Sequence, residues 1–504
     1  MKNILISCVS LFNKNRTVTK DGDPEKPKEY SADGITISAL QTNEACVKFL
    51  LKKLEQSGES LHEYIRVKSN SVEHDRFTMD YLDSEIKEFC NENELPCPTP
   101  VDFCLGEYET EHRYDKVLSD ISQEVRKVAD TAIDNNVAIY LDMAGGKRDN
   151  YIFIQLLTKL LSFYGYKIHT YYADITGDKG TVVNTDLSFE HMRILDAVNE
   201  FVRFGSATAL RECFSNSKSP TVKALLKVME EFSNAIQLCS TDIGDILLRL
   251  EQQLDQTEKY VSDDRDGLFI VKTMIPLIRS KFNIKTDNNI YATLGIVKWC
   301  LENNLIQQAL TIYRENVPEI IMSKKFVVLD QRIYGSTINK MMEGRHISKK
   351  NETELFCIIG EAFQNMYKFP DAGSKETEDG LKRYIKDYKW KKCDKGGRII
   401  CRDMEWTVGA VFFSDEFIPD GVKLNIETEL FRRIVSDCRF AMSARNRVNH
   451  ASGKDTYDKL LISMFSLKSY PFSSYPNTFT PKNVKKDLLR AVSNLEDALK
   501  IVDN

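Results

Sequence analysis

The segment SARNRVNHA, residues 443–451, carries three side chains whose types suit phosphate chemistry. Arg445 is a permanent cation, and His450 titrates near neutrality. Cleavage of RNA without a metal needs an acid and a base for the leaving 5′-oxygen and the 2′-hydroxyl, and a cation for the phosphorane. His450 can serve as acid or base, Arg445 can clamp the phosphate and Asn446 can orient either group. The segment therefore predicts a catalytic set.

The spacing of these residues sets a geometric condition. On a straight helix Asn446 and His450 share a face, whereas Arg445 and His450 diverge by about 140°. The two ionisable groups converge on one phosphate only if the helix ends near His450 or if a second copy of the chain supplies partner residues. Ser452 and Gly453 predict a terminator, which places His450 at the negative end of the helix. The alternative is an exposed arginine and a histidine that caps carbonyls, since an isolated RxxxxH pattern is degenerate.

Gly145 and Gly146 mark a second candidate site in LDMAGGKRDN, residues 141–150. They follow a buried strand and open a helix, and ligands of parallel α/β sheets bind beyond the carboxyl ends of strands. Adjacent glycines admit close backbone approach, helix N–H groups favour anions, and Lys147 and Arg148 add positive charge. The turn predicts a phosphate-bearing ligand, with a tight turn and two solvated cations as the alternative. The pattern is neither the dinucleotide GxGxxG nor a P-loop.

Three hydroxyl residues, Ser7, Ser10 and Thr42, lie where the first strand ends and the next helix begins. We expect them to line the same crevice as the glycine turn, with a role as caps or turn formers as the alternative. Thr42 is also the predicted N-cap of that helix.

The composition is that of a globular protein. At 504 residues the chain predicts roughly three domains, and 42% hydrophobic with 28% charged residues is ordinary for a soluble fold. Its start, MKNILISCVSLFNKN, lacks a small-residue cleavage pattern, and no apolar run reaches bilayer-spanning length. We therefore expect a cytoplasmic protein with no membrane partner. A net charge of −5 argues against constitutive coating of nucleic acid.

Cysteine and histidine usage argues against a built-in metal or cofactor site. The twelve cysteines form no CxxC pair, which predicts free thiols in a reducing compartment. The seven histidines form no HExxH or Cys/His cluster. We expect no metal and no cofactor.

Periodicity divides the chain into an α/β part and a helical part. Alternating strands and helices up to residue 185 predict a parallel sheet covered on both faces. The predicted strands are 3–12, 62–69, 136–143 and 166–175, and the predicted helices are 41–58, 115–133 and 150–165. The polar stretch around 21–27 predicts a loop or flap. From about 186 the apolar residues recur at helical spacing to the end, with irregular stretches at 369–403 and 466–482.

The glycine turn resembles the ligand loop of CARF domains, which bind cyclic oligoadenylates made by type III CRISPR systems. The resemblance rests on Asp142, Gly145, Gly146 and Arg148 after a strand. Ala144 departs from it, because many such loops carry threonine there. That departure removes a hydroxyl that might contact or help cleave the activator, so whether this domain degrades its activator stays open.

The segment Arg445–Asn446–x–x–x–His450 is similar to the Rx4-6H signature of HEPN ribonucleases. Residues 187–210 and 303–315 also resemble the helices of CARF–HEPN effectors, so the similarity spans nearly the whole chain. The order of the motifs is more specific than any one of them.

The resemblance implies an α/β plus all-α fold: a Rossmann-like CARF domain with a parallel sheet at 1–185, a helical connector at 186–290 and a helical HEPN domain at 291–504. It also implies a homodimer, in which two CARF domains form a symmetric cleft for a cyclic tetra- or hexa-adenylate activator. Two copies of Arg445 and His450 then meet near one axis, which satisfies the geometric condition above. The activator shifts the population toward that arrangement.

The implied activity is metal-independent cleavage of single-stranded RNA in antiviral defence, which leaves 2′,3′-cyclic phosphate ends. Ring size and RNA base preference cannot be read from these residues. The predicted activator-binding residues are Ser10, Thr42, Ala144, Gly145, Gly146, Lys147 and Arg148.

Other functions compete with this prediction. A non-catalytic cyclic-nucleotide-sensing regulator or scaffold with an inactive HEPN domain is disfavoured because Arg445, Asn446 and His450 are all present. A DNA-binding regulator needs a recognition helix with a basic face, and none stands out. A sugar- or nucleotide-modifying α/β enzyme that uses the glycine turn leaves the helical part unexplained.

A cluster of cations with interleaved aromatic residues lies in the irregular segment at 369–403. Such a pattern suits single-stranded RNA, and a solvated loop is the alternative. Its members are Lys386, Tyr388, Lys389, Trp390, Lys391, Lys392, Lys395 and Arg398.

Overall fold

The computed structural model forms two compact units, Met1–Met192 and Arg193–Asn504. It describes residues 1–12, 14–17, 25–105, 113–132, 136–145, 148–176, 179–260, 267–282, 288–345, 350–351, 354–355, 418, 420–450 and 480–503. The domain boundaries predicted after residues 185 and 290 stay predictions.

An eight-stranded sheet forms the centre of the first unit. Its strands are β1 (Lys2–Cys8), β2 (Lys28–Ala32), β3 (Ile35–Ala39), β4 (Leu61–Lys68), β5 (Thr99–Cys104), β6 (Val137–Asp142), β7 (Lys167–Thr176) and β8 (Lys179–Asn184). The order across the sheet is β3-β2-β8-β7-β6-β1-β4-β5. The run β7-β6-β1-β4-β5 is parallel throughout.

The chain changes direction across the sheet at β1. It adds β4 and β5 on one side of β1, and then β6 and β7 on the other. In this doubly wound order, ligands bind beyond the carboxyl ends of the two strands at the change of direction, here β1 and β6. The prediction of a Rossmann-like α/β domain is confirmed. At the far edge, β5 contains Pro100, which lies opposite Tyr64 of β4.

The predicted parallel strands form one side of the sheet, and antiparallel strands that were not predicted complete it beyond β7. β8 runs antiparallel to β7. Next to β8, β2 and β3 form an antiparallel hairpin at the edge of the sheet opposite β5. Asp33 and Gly34 join the hairpin with φ values of 50° and 76°, and a two-residue turn with both φ angles positive matches the twist of its strands. Tyr30 and Ile37 face the core. The hairpin was missed because its strands are short and half of their residues are polar.

Helices cover both faces of the sheet, as predicted. Those of the first unit are α1 (Thr42–Gln56), α2 (Asn70–Glu73), α3 (Arg76–Glu92), α4 (Arg113–Asp130) and α5 (Arg148–Phe163). Alternation along β1 sends Leu5 to the face covered by α1, in one core with Phe49. Ile4 and Ile6 go to the opposite face, in one core with Phe153 of α5.

The second unit is predominantly helical, as the period of its apolar residues predicts. Its helices are α6 (Asp186–Phe204, which begins in the first unit), α7 (Thr208–Cys213), α8 (Pro220–Leu238), α9 (Ile243–Lys259), α10 (Leu268–Phe282), α11 (Asn289–Glu302), α12 (Ile306–Ser323), α13 (Gln331–Arg345), α14 (Thr428–His450) and α15 (Pro481–Asp503). A short antiparallel pair, β9 (Val327–Leu329) and β10 (Val422–Leu424), was not predicted. One apolar core runs from Ile194 to Leu499.

Trp299 of α11 lies at the centre of an aromatic cluster in that core. Its ring is 1% exposed, and its centroid lies 6.3 Å from that of Phe232 and 5.1 Å from that of Phe282. The indole Nε1 donates a hydrogen bond of 2.9 Å to the carbonyl of Val202 on α6. The side chain therefore joins two helices that are distant in sequence.

We expect Trp299→Ala to lower the free energy of unfolding by about 3–5 kcal/mol, because it leaves a cavity and an unpaired carbonyl. Urea unfolding of the full chain, followed by far-ultraviolet circular dichroism, measures the loss. Phe204→Ala is the matched control, since Phe204 is 54% exposed and its loss should stay within about 0.5 kcal/mol. Equal losses in the two variants would contradict this account of the core.

Candidate functional site

Asn43 joins the two central strands to the first helix. Its Nδ2 donates to the Asp142 carboxylate at 2.6 Å and to the carbonyl of Cys8 at 3.1 Å. Its Oδ1 accepts from the backbone N–H of Ser10 at 2.9 Å. The carboxyl ends of β1 and β6 and the start of α1 therefore meet at one buried amide. We call this place the glycine-turn site.

The turn approaches β1 so closely at residue 145 that only glycine fits there. A Cβ atom at this position would lie 1.6 Å from the carbonyl oxygen of Cys8 and 2.4 Å from the Nδ2 of Asn43. No side chain fits there without a shift of the backbone. The glycine therefore serves a close approach between two backbone segments at the end of the sheet.

Asp142, the last residue of β6, is 1% exposed. Burial raises the pKa of this carboxyl to about 6 from 3.8, while hydrogen bonds from the Ala144 N–H, Asn43 and the Cys46 thiol act in the opposite direction. The Ala144 N–H lies 2.9 Å from its Oδ1. The carboxylate thus fixes the first residue of the turn and the amide that holds β1.

The predicted activator-binding residues fall at this site as far as the structure describes them. The described members are half-buried: Ser10, Thr42, Ala144 and Gly145. Gly146 and Lys147 lie outside the described residues. Arg148 begins α5, and its side chain lies outside the description. Ser7 does not line the crevice, because it is fully buried and its hydroxyl donates to the Tyr64 hydroxyl at 2.7 Å.

The start of α1 differs from the prediction that Thr42 is its N-cap. The cap is Gln41, whose N–H donates to the Glu44 carboxylate at 3.2 Å. Glu44 is 1% exposed and also binds the Lys48 ammonium at 2.6 Å. Gln41 rather than Thr42 is the N-cap because Glu44, three residues beyond Gln41, completes a capping box with it. The backbone beside the glycine turn is therefore held by a buried ion pair.

Arg445 belongs to α14, a continuous helix of 23 residues that also contains Asn446 and His450. Ala441 and Ala444 of this helix are buried, whereas the Arg445 side chain is 22% exposed. Its Nη1 donates to Oε1 of Glu315 on α12 at 3.0 Å. The guanidinium is thus held at the border of the core.

The predicted partners of Arg445 are described only by their backbone. Asn446 and His450 lie within the helical span of α14, and their side chains are outside the description. The terminator predicted at Ser452 and Gly453 and the cation–aromatic cluster at 386–398 fall outside the described residues. The convergence of Arg445 and His450 stays a prediction.

Asp437 anchors α14 two turns before Arg445. It is 0% exposed, its Oδ2 accepts from the Asn494 amide of α15 at 2.7 Å, and Arg490 lies 3.6 Å from its Oδ1. Burial raises the pKa of this carboxyl to about 6. Sequence reasoning missed Asp437, as it missed Asn43 and Glu315, because each partner is distant along the chain.

The described ranges contain neither a metal-binding cluster nor a membrane-spanning helix. No group of three or more His, Cys, Asp or Glu side chains there is placed to hold a metal ion. No helix in the same ranges combines the length and apolar character that crossing a bilayer requires.

We expect Gly145→Ala to destabilise the first unit by about 1–3 kcal/mol, because the added methyl overlaps the Cys8 carbonyl. Chemical unfolding measures the loss, and faster amide exchange at Ser10 and Ala144 would locate it. Gly335→Ala is the control, because the nearest atom to its added Cβ is a side-chain oxygen at 3.7 Å. That control should be neutral or stabilising by at most about 1 kcal/mol. Unchanged stability in Gly145→Ala would refute the close approach.

The stability of the first unit should depend on Asp142 ionisation. Its folded pKa of about 6 exceeds the ordinary 3.8, so the contribution is full below pH 4 and is lost as the pH rises through 6. Between pH 4 and 7 the wild type should lose about 3 kcal/mol relative to Asp142→Asn, which cannot ionise. Urea unfolding at a series of pH values measures the difference. Asp130→Asn, at an exposed position, is the control, and parallel curves for wild type and Asp142→Asn would contradict the prediction.

Comparisons with known proteins found similarity among solved structures. No protein-family model matches the chain, and no curated protein matches it. Among solved structures the chain is similar to Enterococcus italicus Csm6 bound to cyclic hexa-2′-fluoro-hexa-dAMP. The two share 10% sequence identity over 99% of this chain and 94% of that chain, with a TM-score of 0.36. The functional proposal below therefore depends on the residues of this chain.

Proposed function

We propose that the chain is a cyclic-oligoadenylate-activated, metal-independent endoribonuclease of the CARF–HEPN type that cleaves single-stranded RNA in type III CRISPR defence. The proposal rests mainly on the course of helix α14 and on the position of Arg445 within it. This one helix runs through Arg445, Asn446 and His450 and keeps the Arg445 guanidinium partly exposed at the border of the core. The described helical span thus includes the backbone of all three residues of the predicted catalytic set.

Two copies of the chain complete the catalytic site in this proposal. Arg445 and His450 are five residues apart on α14, so they diverge around the helix within one copy. A symmetric pair of α14 helices brings the guanidinium of one copy to the imidazole of the other. Arg445 then clamps the scissile phosphate, and His450 moves protons for the attacking 2′-hydroxyl and the leaving 5′-oxygen. The products are 2′,3′-cyclic phosphate ends.

The activator site in this proposal is the glycine-turn site. The half-buried backbone of Ala144 and Gly145 lies beyond the strands where the doubly wound sheet changes direction. Lys147 and Arg148 supply positive charge for the phosphates of a ring-shaped oligoadenylate. Ring binding by two such sites favours the arrangement in which the α14 helices converge.

A non-catalytic sensor is the second candidate, and one contact favours it. Arg445 already donates to an internal carboxylate, Glu315, at 3.0 Å. An arginine held in this way could join α12 to α14 without ever contacting RNA. The two candidates differ in whether the activator produces cleavage.

We expect cyclic tetra- or hexa-adenylate to switch on cleavage of a fluorescent single-stranded RNA in EDTA. His450→Ala should slow cleavage by about 100- to 10,000-fold, because general acid–base catalysis contributes that much. His74→Ala is the control, since this exposed histidine contacts the local carbonyl of Asn70 and belongs to the α/β unit. Activator binding without cleavage of any RNA would establish the sensor. Equal rates for wild type and His450→Ala would exclude the proposed chemistry.

A further inference from the structure

Glu315 receives two guanidinium groups on one carboxylate oxygen. Arg445 donates to its Oε1 at 3.0 Å across from α14, and Arg314 contacts the same Oε1 from the neighbouring position on α12. The three side chains are between 17% and 22% exposed. Two cations and one anion therefore share a half-buried position at the predicted catalytic helix.

The carboxylate is what allows the two arginines to lie together. Like charges at contact distance repel, and the repulsion is larger near a protein core than in water. Glu315 offsets it with an opposite charge that both guanidiniums contact, and the formal charges of these three side chains sum to +1. Planar guanidinium donors bind carboxylates and phosphates with the same geometry, so a site that holds a carboxylate is suited to phosphate as well.

The geometry points to Arg314 as a second RNA-phosphate contact beside Arg445, with Glu315 as the positioning residue that holds the two guanidiniums together. This inference rests on the proposed function and names part of its substrate site. Arg445 contacts the scissile phosphate, and Arg314 contacts the adjacent phosphate of the same strand. Neither Arg314 nor Glu315 belongs to the Rx4-6H pattern, since they lie 130 or more residues before Arg445.

RNA binding tests Arg314 without relying on catalysis. A labelled 2′-O-methyl RNA, which lacks the attacking hydroxyl, is titrated with the full chain and activator over a range of NaCl concentrations. Arg314→Ala should weaken binding and reduce the slope of log K against log salt by about 0.7, the value for one lost phosphate contact on a single strand. Arg249→Ala is the matched control, because Arg249 forms an ion pair with Glu231 at 2.9 Å elsewhere on the second unit. A slope equal to that of wild type in Arg314→Ala would overturn the inference.

Steady-state cleavage tests Glu315. Glu315→Ala should lower kcat by about 100-fold, the cost of a displaced catalytic group, with KM unchanged or lower because a negative charge is lost. Glu315→Gln keeps an acceptor oxygen between the arginines and should recover part of kcat. Glu231→Ala and Glu231→Gln are the controls. Faster cleavage by Glu315→Ala would show that the carboxylate blocks the site, and equal kcat values in the alanine and glutamine variants would remove its positioning role.

The outcomes separate this inference from the proposed function. Wild-type cleavage that requires His450 but is indifferent to Arg314 and Glu315 overturns the inference alone. Wild-type RNA binding without any cleavage overturns the proposed activity, and the salt series still decides on Arg314. Thermal unfolding of each variant identifies a loss of folding, in which case the isosteric Glu315→Gln and an Arg314→Gln variant, which keeps polar bulk but removes the charge, decide instead.

Discussion

A single buried carboxylate fixes the geometry of the α/β unit at the place where its sheet changes direction. Asp142 closes β6, holds the Ala144 N–H and binds the Asn43 amide, which in turn binds the end of β1. A charge without solvent is unfavourable unless donors surround it, and these donors come from two segments, the turn after β6 and helix α1. The hydrogen bonds therefore offset part of the cost of burying the carboxylate, and they also hold the turn in place.

In both candidate sites a carboxylate forms a hydrogen bond to a side chain on another element. In the first, buried Asp142 and Asn43 position the turn at Gly145, which faces the activator in the proposed function. In the second, Glu315 contacts the exposed edge of Arg445, while Asp437 fixes the helix two turns earlier. Each group proposed to contact a ligand is thus supported by a carboxylate that has a partner on another element. Such support reduces the entropy that binding would otherwise cost.

Local sequence patterns were sufficient for much of the fold. The predicted strand at 136–143 agrees closely with β6, and the predicted helix at 150–165 agrees closely with α5. Both predictions rest on long apolar runs, which leave a strong signal in the sequence. The hairpin turn at Asp33 and Gly34 also carried a signal, an Asp-Gly pair between alternating residues, but its strands are short. Nothing local identified β9 and β10, which pair three residues each across more than ninety positions.

The candidate sites were predictable only in part. Residue types and order pointed to Gly145 and Arg445, since glycine turns and arginine–histidine pairs are visible along the chain. Asn43 and Glu315 were not, because their significance depends on partners 99 and 130 residues away. An asparagine in a first helical turn is also ordinary as a cap or turn residue. Tertiary contacts alone distinguish it.

The outer strand β5 limits how copies of this chain can associate. Pro100 has no N–H, so the row of backbone donors along that border is interrupted. A strand that paired with β5 would lack a backbone hydrogen bond at Pro100. Proline in an edge strand is a common protection against edge-to-edge aggregation. Pro100 therefore disfavours growth of the sheet by strand addition at β5.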